Sequence, residues 1–314
     1  MKRNSLLGAL ALFACATTVT ATGLDAEIIS GDGSQNHNIA SVPGNYQFPG
    51  APAGSNGILY NNGPLVTHPG AGPGGEDVSV LQDNTLGMDT LGFGHALGAS
   101  FRIADDFTIS TPYWDIDTIT FYAYQTGEVA STITAVNLRI WDGPPGAPGS
   151  QVVFGDTSTN RLVSTVNSNI LRATELPPPV RVNGGSYPNN RQIAATTVAV
   201  NIRLPQGTYW LDWQSDGSGA SGPWAPPITV LGQASTGNGM QYDPNGNPSS
   251  NPNGGGIWTA ALDSGSSTPQ GFPFVINGSS VIPQIPANNR LGLWLLFISL
   301  GLMAMWALSR YRRV

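Results

Sequence analysis

Three histidines, His37, His68 and His95, are all the imidazole chemistry this chain offers, and they stand far apart in Gly-rich loops. That spacing suits loop hydrogen bonding better than a metal centre or a nucleophilic triad. Carboxylates come in closer pairs. Asp105 and Asp106 are adjacent and cannot share one side of a strand, whereas Asp115 and Asp117 can. The two-carboxylate chemistry of glycoside hydrolysis is set by separation in space, which such spacings do not give. In "DPNGNPSSN", Asp243, Asn245 and Asn247 alternate as oxygen donors of the hard kind calcium takes, yet Asn, Gly and Pro are also ordinary turn residues. There is no GxSxG elbow, HExxH helix, phosphate loop or Cys-based centre. The expectation is no catalytic residue and no cofactor, with calcium as the one candidate ion.

Aromatic rings are the other chemistry-bearing feature. Trp141 alternates with Leu138 and Ile140, Trp210 with Leu211 and Trp213, and Tyr122 and Tyr124 with Phe121. Rings on the face opposite a core can stack on sugars. The alternative is that they close the ends of the domain or pack loops such as "SGPWAPP" against it, each Trp burying around 200 Å².

The elements that would hold these residues read as strands. In "FRIADDFTI", Phe101, Ile103, Asp105, Phe107 and Ile109 share one face, with Asp105 the polar exception. "DTITFYAYQ", "AVNLRIWDG" and "QVVFGD" follow at the spacing of sandwiches and barrels. "TTVAVNIRLPQGTYWLDWQ" predicts a hairpin turning at Pro205-Gln206-Gly207, and "NGMQYD" and "GFPFVING" the last two strands, separated by a loop. With 40 Gly, 25 Pro and 10% charged residues, the fold class expected is all-β: an antiparallel, jelly-roll-like β-sandwich, flanked by an N-terminal signal helix and a single C-terminal transmembrane helix.

Both ends carry targeting patterns. Lys2 and Arg3 precede the apolar Leu6 to Ala14 and small residues up to Val19-Thr20-Ala21, an export signal cut by signal peptidase after Ala21, with Ala14-Cys15-Ala16 a competing site. Cys15 is the sole cysteine and leaves with that signal, so no disulfide is expected. Leu291 to Leu308 is uncharged and reaches roughly 27 Å as a helix, enough for a bilayer core. Arg310, Arg312 and Arg313 follow it, as cytoplasmic flanks do. The organisation expected is thus 1–21 signal peptide, 22–56 irregular arm, 57–280 β-sandwich, 281–290 Pro-containing motif and spacer, 291–308 span and 309–314 basic tail. Between residues 22 and 289, 7 basic residues face 19 acids, near −12, which excludes nucleic acid as a partner.

The tail "IPQIPANN", "LGLWLLFISLGLMAMWAL", "SRYRRV" resembles the tripartite C-terminal sorting signals of the PEP-CTERM and IPTL-CTERM kind, processed by exosortases. The resemblance implies transient membrane retention and cleavage near the motif Ile285, Pro286, Ala287, Asn288 and Asn289. It also implies delivery to the cell surface, outer membrane or extracellular matrix; a permanent tail anchor is the alternative. The body, from "LYNNGPLVTHPGAGPGG" through "RIADDFT", "VNLRIWDG" and "GTYWLDWQ" to "GMQYD", is similar to secreted bacterial β-domain proteins without an assigned activity. The function expected is a non-catalytic surface or matrix protein acting in adhesion or assembly. A carbohydrate-binding module touching extracellular polysaccharide through Trp141 and Trp210 is the alternative, and an unrecognised hydrolase the third reading.

Overall fold

The computed structural model describes residues 26–28, 57–181, 187, 190–246 and 256–281, and these are mostly strand. The export signal, the motif at 285–289, the span, the basic tail, His37 and Asn247 lie outside the described residues. In chain order the strands are β1 (Ala26–Ile28), β2 (Ile58–Asn61), β3 (Asp77–Val80), β4 (Thr90–Gly94) and β5 (Arg102–Ala123). They continue as β6 (Ile133–Trp141), β7 (Val152–Gly155), β8 (Leu162–Ala173), β9 (Gln192–Gly217), β10 (Trp224–Ala225), β11 (Met240–Asp243), β12 (Ile257–Ala260) and β13 (Phe274–Val281). Among the described residues no helix is long and apolar enough to cross a membrane.

Two long antiparallel strands organise everything else. β5 pairs with β9 from Ile103 opposite Trp213 to Ala123 opposite Ala194. Laid straight, the run from Ile103 to Phe121 would stretch about 60 Å. Yet the Phe121 ring stacks on Trp213 with centroids 4.4 Å apart. The strand pair must therefore fold back on itself, and the break in register shows where: Ile109 faces Gly207, but the next pair is Tyr113 with Pro205. Ser110, Thr111 and Pro112 bulge against Gln206 alone, and neither proline can donate to a ladder.

The predicted hairpin at Pro205-Gln206-Gly207 is thereby corrected. Those residues bend one continuous strand, whose two arms pair with β5 and not with each other. The prolines and Gly207 that suit a turn serve equally to turn a strand through a corner, because β5 turns beside it.

Either side of the corner lies a layer. One has the order β12-β11-β5-β9-β6-β7 and uses the first half of β5 with the second half of β9. In the other, β13 joins the second half of β5 and carries β2, while β8 joins the first half of β9 and carries β3. The expectation of purely antiparallel pairing is corrected at β3 and β8, which run parallel from Asp77 opposite Ile170 to Val80 opposite Ala173. A small sheet, β1-β4-β10, adds Phe93, whose ring meets Phe272 edge-on at 5.3 Å. β1 falls within the stretch expected to be irregular.

The inward faces follow the alternation of the sequence. Ile103, Phe107 and Ile109 from β5, Val136, Leu138 and Ile140 from β6, and Leu211 and Trp213 from β9 join Ile119 and Phe121 in one buried cluster. At about 25 cal/mol per Å² of apolar surface, such rings and branched chains dominate the stability of a chain without disulfides. Tyr122 and Tyr124, considered for an exposed face, are instead 2% and 1% exposed; they fill a second cluster with Leu65, Val66, Ile170 and Ile193, closed by Trp224 of "SGPWAPP". The outer side of this part of β5 is covered by chain packed over it, so alternation there separates two cores.

Candidate functional site

The outer face of the first layer carries a cleft of about 470 Å³, within the range of small-ligand sites. Strand alternation that sends Leu138, Ile140, Leu211 and Trp213 inward sends Arg139, Trp141, Asp212 and Gln214 outward. Pairing then sets them in rows. Trp258, Tyr242 and Arg102 are neighbours across β12, β11 and β5. Ala104, Asp212 and Arg139 form the next row across β5, β9 and β6.

Asp212 organises this face. Its side chain is 0% exposed, and both oxygens are engaged. Arg102 Nε donates to Oδ1, while Arg139 Nη2 and Nε donate to Oδ2 at 2.7 and 2.8 Å and Trp141 Nε1 at 3.0 Å. Arg102 Nη2 also reaches the Asp212 carbonyl at 3.2 Å. The Arg139 guanidinium lies over the Trp141 ring, 4.8 Å from its centroid, a cation–π contact that fixes the indole further. Buried ion pairs of this kind are weak as stabilisers and strong as positioning devices, because breaking one leaves a bare charge inside. Arg102, 4% exposed in its side chain, keeps Nη1 without an acceptor among the described residues. Burial lowers the Arg102 pKa, and Asp212 counteracts this.

Tyr242 and Trp258 form the opposite wall, centroids 5.4 Å apart and planes tilted by 50°. A Cβ on Gly146 would come within 3.1 Å of the Trp258 ring, and φ +76° favours glycine there, so the turn "GPPGAPG" packs closely against that indole. Leu97, Ser100, Thr157 and Gln214 complete the lining. Three half-buried rings thus surround guanidinium, amide and hydroxyl groups, an arrangement suited to a ligand with apolar flats and polar edges.

Of the two tryptophans singled out in the sequence, Trp141 lines the cleft; Trp210, 7% exposed, pairs with it across β9 and β6 but is not part of the lining. Arg102, Arg139, Asp212, Gln214, Tyr242 and Trp258 were not singled out. Asp243 is buried, and its Oδ1 accepts from Asn245 N at 2.8 Å, ordinary turn bonding at the end of β11. Among the described residues no cluster of His, Cys, Asp or Glu is arranged to hold a metal.

The remaining polar candidates are spent on structure. His95 Nε2 lies 3.1 Å from Ser215 Oγ, but they are 0% and 1% exposed, and burial pushes the imidazole pKa down to about 4. His68 meets Thr67 Oγ1 at 2.9 Å. Asp105 accepts from Phe272 N at 2.7 Å, Asp106 N at 2.8 Å and Asn62 Nδ2 at 2.9 Å, while burial raises its carboxyl to about 7. Asp115 binds Arg203 through two contacts of 2.7 and 2.8 Å, and Asp117 falls at a bulge where Asn201, at φ +52°, is the extra residue on β9. Compared with family models, with curated proteins and with solved structures, the chain matches none.

Proposed function

We propose that this chain is an exported protein, placed at the cell surface or in the extracellular matrix by its C-terminal sorting segment, and that its jelly-roll-like sandwich binds carbohydrate there. Adhesion or matrix assembly is the role that follows. The observation that carries the reading is the cleft itself: Trp141, Tyr242 and Trp258 stand half-buried around Arg102, Arg139, Gln214, Ser100 and Thr157. A pyranose ring has apolar C–H faces that pack on aromatic rings and hydroxyl edges that need hydrogen-bond partners. Asp212 holds Trp141 and both arginines in place before any ligand arrives, so little rotamer entropy is lost on binding.

A glycan array probed with the full-length chain tests this. Saturable binding should be lost in Trp141→Ala and in Trp258→Ala while each variant still folds, as read by circular dichroism and a cooperative unfolding transition. Trp210→Ala, outside the cleft, should still bind. Absence of binding to any glycan, or binding indifferent to both cleft substitutions, overturns the carbohydrate reading. The sorting part is tested separately by mass spectrometry of protein from the native host. A mature C-terminus near Asn289 supports processing by an exosortase-type protease, and a mature pool ending at Val314 refutes it.

A further inference from the structure

We infer that the sugar this cleft selects is anionic, an acidic polysaccharide segment carrying a uronate or a comparable negative substituent; the inference rests on the carbohydrate reading above. The argument is one of charge balance. Two guanidiniums, Arg102 and Arg139, converge on one carboxylate, Asp212, so one positive charge at the cleft floor is left uncompensated. No Asp or Glu lines the cleft to cancel it. Acids close to lining residues in sequence have partners elsewhere: Asp142 Oδ1 accepts from Gln151 N at 2.6 Å, Asp156 pairs with Arg161 at 3.5 Å, Asp216 Oδ1 accepts from Gly217 N at 2.9 Å, and Asp243 Oδ1 accepts from Asn245 N at 2.8 Å. In a chain with a formal charge of −6, this floor is a cationic spot surrounded by an acidic protein.

Donor capacity points the same way. A guanidinium has five N–H donors. Arg102, one of the lining residues, commits Nε and Nη2 to Asp212 and leaves the buried Nη1 with no acceptor among the described residues. Arg139 commits Nε and Nη2 and keeps Nη1, on a side chain 23% exposed. Both Asp212 oxygens already accept from the arginines and Trp141, so an anionic group entering the cleft competes with water for the donors that remain. A carboxylate or sulfate does so with a charge-assisted bond, stronger than a neutral hydroxyl gives. The aromatic walls provide the stacking surface and the arginines the selection between sugars of similar shape.

The test compares three oligosaccharides of equal length against the full chain by calorimetric titration: a uronate oligomer, its carboxyl-reduced neutral counterpart, and that neutral oligomer bearing sulfate esters. The uronate or the sulfated form should bind about tenfold or more tightly than the neutral one, and which of them does identifies the anion. The preference should shrink as salt is raised from about 0.02 to about 0.5 M, where screening shortens to a few ångströms. Arg139→Gln should bring the ratio close to one, and Arg139→Lys should keep most of it. Equal affinity for neutral and anionic oligomers overturns the inference and leaves carbohydrate binding standing. Binding of none of the three overturns both. If Arg139→Gln does not fold, the salt series decides, and a preference that salt leaves unchanged refutes the charge argument.

Discussion

Two aspartates, Asp212 and Asp105, face opposite sides of the same paired strands, and both are buried, at 0% and 2% exposure. Their surroundings differ in kind. Asp212, on the outer face, is met by two arginines and an indole, and its contacts hold side chains that line a cleft. Asp105, on the inner face, meets among the described residues only neutral N–H donors, from Phe272, Asp106 and Asn62, and its contacts tie the segment leading into β13 to β5. Burial without a cation pushes Asp105 up to about 7, despite three donors that pull the other way. One carboxylate thus holds the side chains that line a cleft and the other seals a seam. Cationic partners, rather than burial itself, set apart the one at the cleft.

The sharpest way to break this comparison is to remove the charge that Asp212 carries. Asp212→Asn keeps the shape of the side chain but leaves Arg102, almost fully buried, beside no anion. The expected loss is about 3–5 kcal/mol of folding stability, read from chemical denaturation, together with loss of glycan binding. A variant as stable as the parent would show that the arginines relax into solvent and that the cleft is not preorganised.

Asp105 sharpens the comparison through pH. Its folded pKa of about 7 lies above the ordinary 3.8, so the folded state holds a proton that the unfolded state has released, and stability falls as pH rises between those values. His95 acts in the opposite sense. Its folded pKa of about 4 lies below 6.5, so the unfolded state holds the extra proton and stability rises with pH across that window. From about pH 4 to 6.5 the Asp105 slope opposes that of His95, to which His68, also lowered by burial, adds in the upper part of the window, and the parent chain should show a shallow profile. His95→Gln, with an amide able to bond Ser215 Oγ, removes the His95 slope. Its stability should fall with rising pH by up to about 1.4 kcal/mol per unit, checked by urea melts at several pH values. A profile that stays flat in that variant would mean Asp105 remains ionised throughout.

Much of the scaffold was legible in the sequence. Period-two alternation found β5, β6, β7, β11 and β13, and it assigned Val136, Leu138, Ile140, Ile119 and Phe121 to the core faces they occupy. It found less where the pattern depends on distant neighbours. β8, with Val163 and Val166 exposed and Ile170 and Leu171 buried, gains β3 as a second partner only over its last residues and loses a clean period at the bulge around Asn169. β12 is four residues long and follows a run of Asn and Gly that reads as loop. Of the site, Trp141 was legible as an outward ring. Arg102, Arg139 and Asp212 were equally outward by alternation, but nothing local says that residues 102, 139 and 212 are neighbours. Their meeting is a product of strand pairing, which the folded-over β5–β9 ribbon decides.

The smallest expected effect is the control that separates burial from charge pairing. Arg203 grips Asp115 with two short contacts on the outer side of the second layer, hydrogen bonds that hold the Asp115 carboxyl below its usual range, and the guanidinium sits 6.0 Å from the Tyr113 ring. In its contacts this pair resembles Arg139 with Asp212, down to the aromatic beside the guanidinium. Solvent is the difference: the Arg203 side chain is 58% exposed, so water and salt screen the attraction, and ordering two mobile side chains offsets what remains. Asp115→Asn should therefore leave the denaturation midpoint within experimental error, at low and at high salt alike. A shift approaching that of Asp212→Asn would mean that pairing with arginine stabilises wherever it occurs on this sheet. The cleft would then lose its special standing, because the same chemistry on a bare surface would be worth as much as it is beneath Trp141.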